Sequence, residues 1–382
     1  MSTLATNAIT DASGGNTASI NGYTPTMSNM AGRNLIINGA MQVAQRGTSS
    51  TSNGYATVDR FSTNPAGLDD AVVTTSQETD APIGFTNSLK FTVNTAESTL
   101  ADGEQYYFRT ILEGNTVGHL AYGTSGAKET TLSFWVKSSL TGDYGFNAVW
   151  GSSSASERSY TAIYTVNTAN TWEYKTINIP ADTDNTYSLH TGNERGVQLR
   201  WSLGGINSAQ TGTANGSWSS TNAVIVTGTN DLITTQNATF QITGVQWEVG
   251  SVATPFEHRQ YGQELELCKR YCEVLSSANG SSGYVNFLNG GANSATQARY
   301  VLNYSVQKRA TPAVTFTTAS GFSAQPGNDS GVIACTALVS EHLGVNACQV
   351  TATVSSGLTA GDCSRLISNA NNTSTITITA EL

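Results

Sequence analysis

The sequence predicts an all-β protein: a jelly-roll β-sandwich, a short linking helix and a C-terminal β-sandwich. Three observations carry this. Only 12% of residues are charged and 37 are glycine, with Ser, Thr and Asn filling the polar positions. Thr, Tyr and Val favour extended backbone, whereas Gly and Asn favour tight turns. Short segments alternating apolar with polar residues recur along 33–258, joined by Gly/Ser/Asn turns, with no helical period among them. At Tyr261 the apolar period then changes from two to about three and a half. A chain of 382 residues exceeds one ordinary domain, so two or three are expected.

Residues 1–32 are small and polar, with one tyrosine, a few scattered aliphatics and no periodicity. Alone they bury too little apolar surface to order themselves. They read either as a disordered tail or as an extended arm that orders against a partner. The sandwich, 33–258, shows strands at 34–38, 89–93, 105–112, 131–137, 161–166, 172–179, 197–203, 223–227 and 239–249. Many short strands without a helix argue for a jelly roll or a related double sheet. In the last strand Phe240 and Ile242 share a face; the alternation slips at Gly244 and resumes with Val245, Trp247 and Val249. A phase slip at glycine predicts a β-bulge, and Pro255 ends the strand.

The linker, 259–275, places Tyr261, Leu265, Cys268, Cys272 and Leu275 at 4-3-4-3 spacing, a helical seam about two heptads long. Glu264, Glu266, Lys269, Arg270 and Glu273 keep its other faces wet. A lone helix of this length is marginal in water. The seam must therefore meet partner helices, a neighbouring sandwich or its own chain. Residues 276–382 form the second β region, with strands at 283–288, 299–306, 312–318, 348–354 and 373–380 and a strand–turn–strand junction around Lys308 and Arg309.

Several function classes are set aside. Net charge is −9 and no basic stripe exists, so no nucleic-acid partner is expected. No signal peptide and no apolar run near the roughly 20 residues needed to span a bilayer are visible, so no membrane insertion is expected. The cysteines, Cys268, Cys272, Cys335, Cys348 and Cys363, are odd in number and widely spaced, so no disulfide framework is evident. Cys268 and Cys272 lack the further ligands zinc needs. No metal or other cofactor is expected. His119, His190, His258 and His342 sit far from any nucleophile motif, so no enzyme is expected.

Sugar binding calls for flat rings with a polar edge. Trp150 and Trp218 adjoin loop-like residues and are the candidates for exposed stacking; Trp135, Trp172 and Trp247 lie in patterned strands and read as core. Tyr107 and Arg109 share a strand face opposite Tyr106 and Phe108 and are candidates for lining a groove, with plain packing as the other reading.

The tract GVQWEVGSVATPFEHRQYGQELELCKRYCEV, with NLIINGAMQVAQRGTS, YATVDRF, TLSFWVKSS and TWEYKTINIP, resembles segments of the tail-fibre and tail structural proteins of tailed bacteriophages. The order of the sandwich motifs is also similar to that of jelly-roll carbohydrate-binding modules. These often hold calcium through an acidic residue near the closing strand; here Thr243 stands about there, and Asp182 and Asp184 are the other oxygen pair, or a solvated turn. The resemblance implies a virion structural protein, made in the host cytoplasm, that binds a host surface glycan or outer-membrane receptor. It also implies attachment through 1–32 to the baseplate or another virion protein, a homotrimer along the helical seam, and a receptor-binding tip at 276–382. A polysaccharide-degrading spike and a head fibre or decoration protein are the alternatives.

Overall fold

The computed structural model describes residues 32–151, 157–278, 280, 283–327 and 331–382. The expected attachment arm, except for Gly32, lies outside them. The chain divides into two compact units, Met1–Gln260 and Tyr261–Leu382.

The first unit is a sandwich of two six-stranded sheets. One runs Ser49–Ser50, Val72–Glu78, Ser88–Thr95, Thr239–Val249, Thr130–Ser138, Glu173–Ile179; the other runs Trp218–Ser219, Glu157–Val166, Gly142–Gly151, Arg195–Ile206, Glu104–Glu113, Phe61–Ala66. Alternation decides what lies between them. Leu132, Phe134 and Val136 of the first sheet meet Phe108, Phe146 and Trp201 of the second, all but free of solvent. Phe91 stacks on Phe108 at 4.5 Å, and Phe108 on Trp201 at 5.2 Å. Each such side chain stabilises the fold by roughly 1.5–3 kcal/mol through leaving water. The all-β class and the sandwich are borne out.

The slip at Gly244 is the bulge the sequence predicts. Register against Thr130–Ser138 shifts between Thr243 and Gln246, and Gly244 sits at φ +62°. The expected strand at 34–38 is not formed: its Leu35 N–H still donates to the Trp247 carbonyl at 2.9 Å, but side chains take most of its other bonds. Asn34 accepts from the N–H groups of Ile36 and Trp247 at 2.9 and 3.1 Å, and its amide donates to the Val245 carbonyl at 3.0 Å. Glu257 accepts from the Asn34 N–H at 2.7 Å, and Arg259 donates to the Ile36 carbonyl at 2.9 Å. The NLIINGAM and TPFEHR motifs thus clasp each other across more than two hundred residues of chain.

The second unit begins with a helix, Tyr261–Lys269, followed by the strand Cys272–Ser276. Here the expected trimer seam is corrected. The helix is nine residues long. Cys272 and Leu275 are in the strand, paired with Thr379 and Ile376 of the final strand Thr375–Thr379. Cys268 and Cys272 are fully buried, Leu265 is half-buried and Tyr261 is exposed. A buried clasp fixes the switch from helix to strand. The Lys308 ammonium donates to the Lys269 carbonyl and to Glu273, each at 2.6 Å, and Glu273 also accepts from the Ser305 hydroxyl at 2.6 Å. Burial alone would raise the Glu273 pKa, but the bonds from Lys308 and Ser305 outweigh it and hold the carboxyl below its usual range.

The C-terminal strands stay all-β but close into a barrel rather than stacking as two open sheets. The barrel order is Asn286–Ser294, Gln297–Asn303, Ala347–Val354, Ile333–Glu341, Phe322–Pro326, Cys363–Ser368. Cys272–Ser276, Thr375–Thr379 and Ala313–Phe316 form a separate three-stranded sheet, with Thr375–Thr379 at its centre. Closure removes exposed strand edges.

Candidate functional site

The structure redistributes the aromatic side chains. Trp150 is fully buried; its indole N–H donates to Asp182 at 3.0 Å, and its ring lies 5.9 Å from Tyr122. It cannot stack on a ligand. Trp218 is half-buried, donates to the Pro180 carbonyl at 2.8 Å, and packs on Tyr122 and Tyr160 at 5.4 and 5.7 Å. Tyr107 is buried with Val224 and Ile225. Arg109 is half-buried on the same strand face, donating to Gln198 at 3.1 Å. Asp182 and Asp184 are not a free oxygen pair: Asp182 accepts from Arg158 at 2.9 and 3.2 Å, and Asp184 pairs with Arg158 at 2.9 Å. Among the described residues no three His, Cys, Asp or Glu come together as a metal site, and no helix is long and apolar enough to cross a membrane.

In the first unit, an accessible cluster of aromatic rings lies on the solvent side of the other sheet. Because Leu132, Phe134 and Val136 point inward, Trp135 must point out. It faces Tyr174 across the strand pair, with ring centroids 5.4 Å apart. Trp247 alone of the three tryptophans read as core is fully buried; Trp135 and Trp172 are half-buried. Beside Trp135, Phe85, Phe256 and His258 form a triangle of rings 4.9–5.3 Å apart. These residues and fully exposed Ile83 line a groove of about 530 Å³.

Gly244 makes the groove possible. A Cβ there would stand 2.6 Å from the Phe85 ring and 3.1 Å from Trp135. The bulge therefore lets two rings from distant segments close over bare backbone. At one end of the sheet face, Asp80 gathers Lys137, the Trp172 indole at 3.3 Å and Gln241 at 3.3 Å. The Lys137 bond chiefly holds the Asp80 carboxyl below its usual range. The Lys137 ammonium also lies 5.4 Å from the Trp172 ring centre.

Chemically, the groove combines ring faces with unused polar edges. Among the described residues, the Trp135 indole N–H, the Tyr174 hydroxyl and the His258 imidazole make no hydrogen bond. Rings can cover the C–H face of a sugar while such groups meet its hydroxyls.

No family model matches the chain, and no curated protein matches it. Solved structures similar to it include the enzymatically active domain of tailspike protein 4 of bacteriophage CBA120, at 12% identity and a TM-score of 0.30, covering 57% of this chain and 21% of that one. The family 11 carbohydrate-binding module from Clostridium thermocellum, in complex with a β-1,3-1,4-mixed-linked tetrasaccharide, gives 11% identity and 0.29 over 54% of this chain and 98% of that one. A putative sugar binding protein from Bacteroides thetaiotaomicron gives 10% identity and 0.31 over 57% and 100%. At these values the likeness identifies no binding residue.

Proposed function

We propose that the chain is a non-enzymatic subunit of a phage tail fibre that attaches the virion to a glycan on the host surface, and that the Trp135–Tyr174 groove holds the glycan. The observation that supports glycan binding most strongly is an accessible set of five rings, framed by the bulge at Gly244, on the outer face of one sheet. The fibre role rests on the sequence motifs. On that reading the protein is made in the host cytoplasm and resides in the virion tail. Residues 1–32 dock on the baseplate or another virion protein, and the C-terminal barrel meets the receptor first. The fibre is a homotrimer; its contacts include exposed Tyr261 and half-buried Leu265 rather than a two-heptad coil.

Retention on purified host lipopolysaccharide or capsule tests the binding claim. Trp135→Ala and Tyr174→Ala should each weaken retention about 30-fold, the loss of roughly 2 kcal/mol typical of an aromatic anchor. The melting temperature should change little. Unchanged retention would show that the groove does not hold the glycan. Release of soluble oligosaccharide would favour a polysaccharide-degrading spike.

A further inference from the structure

The second sheet carries an unbalanced pair of cations on its outward face. Arg109 of Glu104–Glu113 and Arg200 of Arg195–Ile206 are direct cross-strand partners. Like charges in that relation repel, and burial amplifies the effect. Arg200 is 3% exposed; burial depresses its pKa to about 10, with Arg109 and Arg195 adding to the fall and Tyr107, whose ring centre lies 5.7 Å from the guanidinium, and Glu157 opposing it. Both guanidinium groups turn to one neutral oxygen. Gln198 Oε1 accepts from Arg109 Nη1 at 3.1 Å and from Arg200 Nε and Nη2 at 3.2 Å each. Arg200 Nη1 donates to Asn222 at 2.6 Å and to the Ala223 carbonyl at 3.1 Å, and Arg109 Nε reaches Ser62 at 3.4 Å. Glu157 forms its ion pair with Arg195, though its charge also reaches Arg200, and Glu113 stands opposite Arg195 in the backbone register. Neither arginine has a carboxylate within 4.0 Å among the described residues, and Arg109 Nη2 has no partner there.

We infer that Arg109, with Arg200 behind it, receives the carboxylate of an acidic sugar residue. A guanidinium fork matches a planar carboxylate. Half-buried Arg109 offers the open nitrogen, while buried Arg200 adds positive potential and fixes Gln198. The inference extends the glycan reading to a second surface and a charge class. It is separable from the groove, which contains no arginine.

Calorimetry on the full chain at low salt, with glucuronate, glucose and inorganic phosphate as probes, tests it. Glucuronate should bind and should weaken as salt rises, while glucose should not. Arg109→Gln should reduce glucuronate affinity about tenfold or more. Without ligand this variant should melt no lower than the wild type, because it relieves repulsion; Arg109→Lys, which keeps charge but loses the fork, should fall between. No glucuronate binding at concentrations up to about 10 mM, or equal binding by Arg109→Gln, would overturn the proposal. Phosphate binding as tightly as glucuronate would overturn the sugar assignment. None of these results bears on retention through the groove.

Discussion

Replacing Trp150 with alanine separates a core tryptophan from a ligand platform. The side chain is fully buried beside Tyr122, and its indole N–H is one of the donors on Asp182, itself 3% exposed. Truncation of a buried tryptophan costs about 3–5 kcal/mol. Arg158 still holds the carboxylate through two bonds, so the lost indole bond adds little to that range. For a unit of this size each kcal/mol moves the melting temperature by about 2–4 °C, so the midpoint should fall by about 6–20 °C. Trp150→Phe keeps most of the volume and should fall by less. Calorimetry, with near-ultraviolet dichroism reporting the tryptophans, follows the first unit's transition. A fall of less than about 2 °C with a loss of glycan retention would refute the placement of Trp150 in the core and restore it as a stacking residue.

Three further outcomes follow from the same geometry. Gly244→Ala should cost about 1–2 kcal/mol through its left-handed backbone, and, by displacing Phe85, should weaken glycan retention as well; a variant with full stability and full binding would contradict the bulge's role. Because the Glu273 carboxyl is held below its usual range, its contribution to the second unit is present above the ordinary glutamate pKa and is lost as pH falls through the lowered folded value. Acid denaturation followed by dichroism should therefore be steeper below about pH 4.5 in the wild type than in the Glu273→Gln, Lys308→Met double variant, and identical curves would sink that argument. Light scattering should give about three times the 40.1 kDa chain mass, and Leu265→Asp should lower it; a wild-type mass near one chain would exclude the trimer.

Much of this architecture is legible in the sequence, and the misses have physical reasons. The bulge could be read because only glycine takes that backbone angle cheaply and the apolar phase changes there. Trp135 could have been placed by parity: Leu132, Phe134 and Val136 commit the strand's other face to the core. The Gly142–Gly151 strand carries the same signal, since Tyr144, Phe146, Ala148 and Trp150 all face the core. Its glycines read as turn residues and concealed it. Phe85, Phe256 and His258 left no periodic trace, because they come from irregular segments brought together by chain folding. The apparent helical seam failed for a different reason. Its spacing runs across a helix end, where the Tyr271 N–H closes on the Cys268 carbonyl and the Tyr271 carbonyl accepts from Ala380, so the later residues join a sheet. Spacing alone does not reveal a partner strand a hundred residues away.

The proposed glycan site places the sugar against the Trp135 indole. The indole N–H resonances of the tryptophans, recorded by proton–nitrogen correlation while host polysaccharide is added, test it most directly. The Trp135 resonance should shift in a saturable way, while those of buried Trp150, Trp201 and Trp247 stay fixed. A Trp135 resonance unmoved at saturating polysaccharide, with binding shown independently, would contradict it.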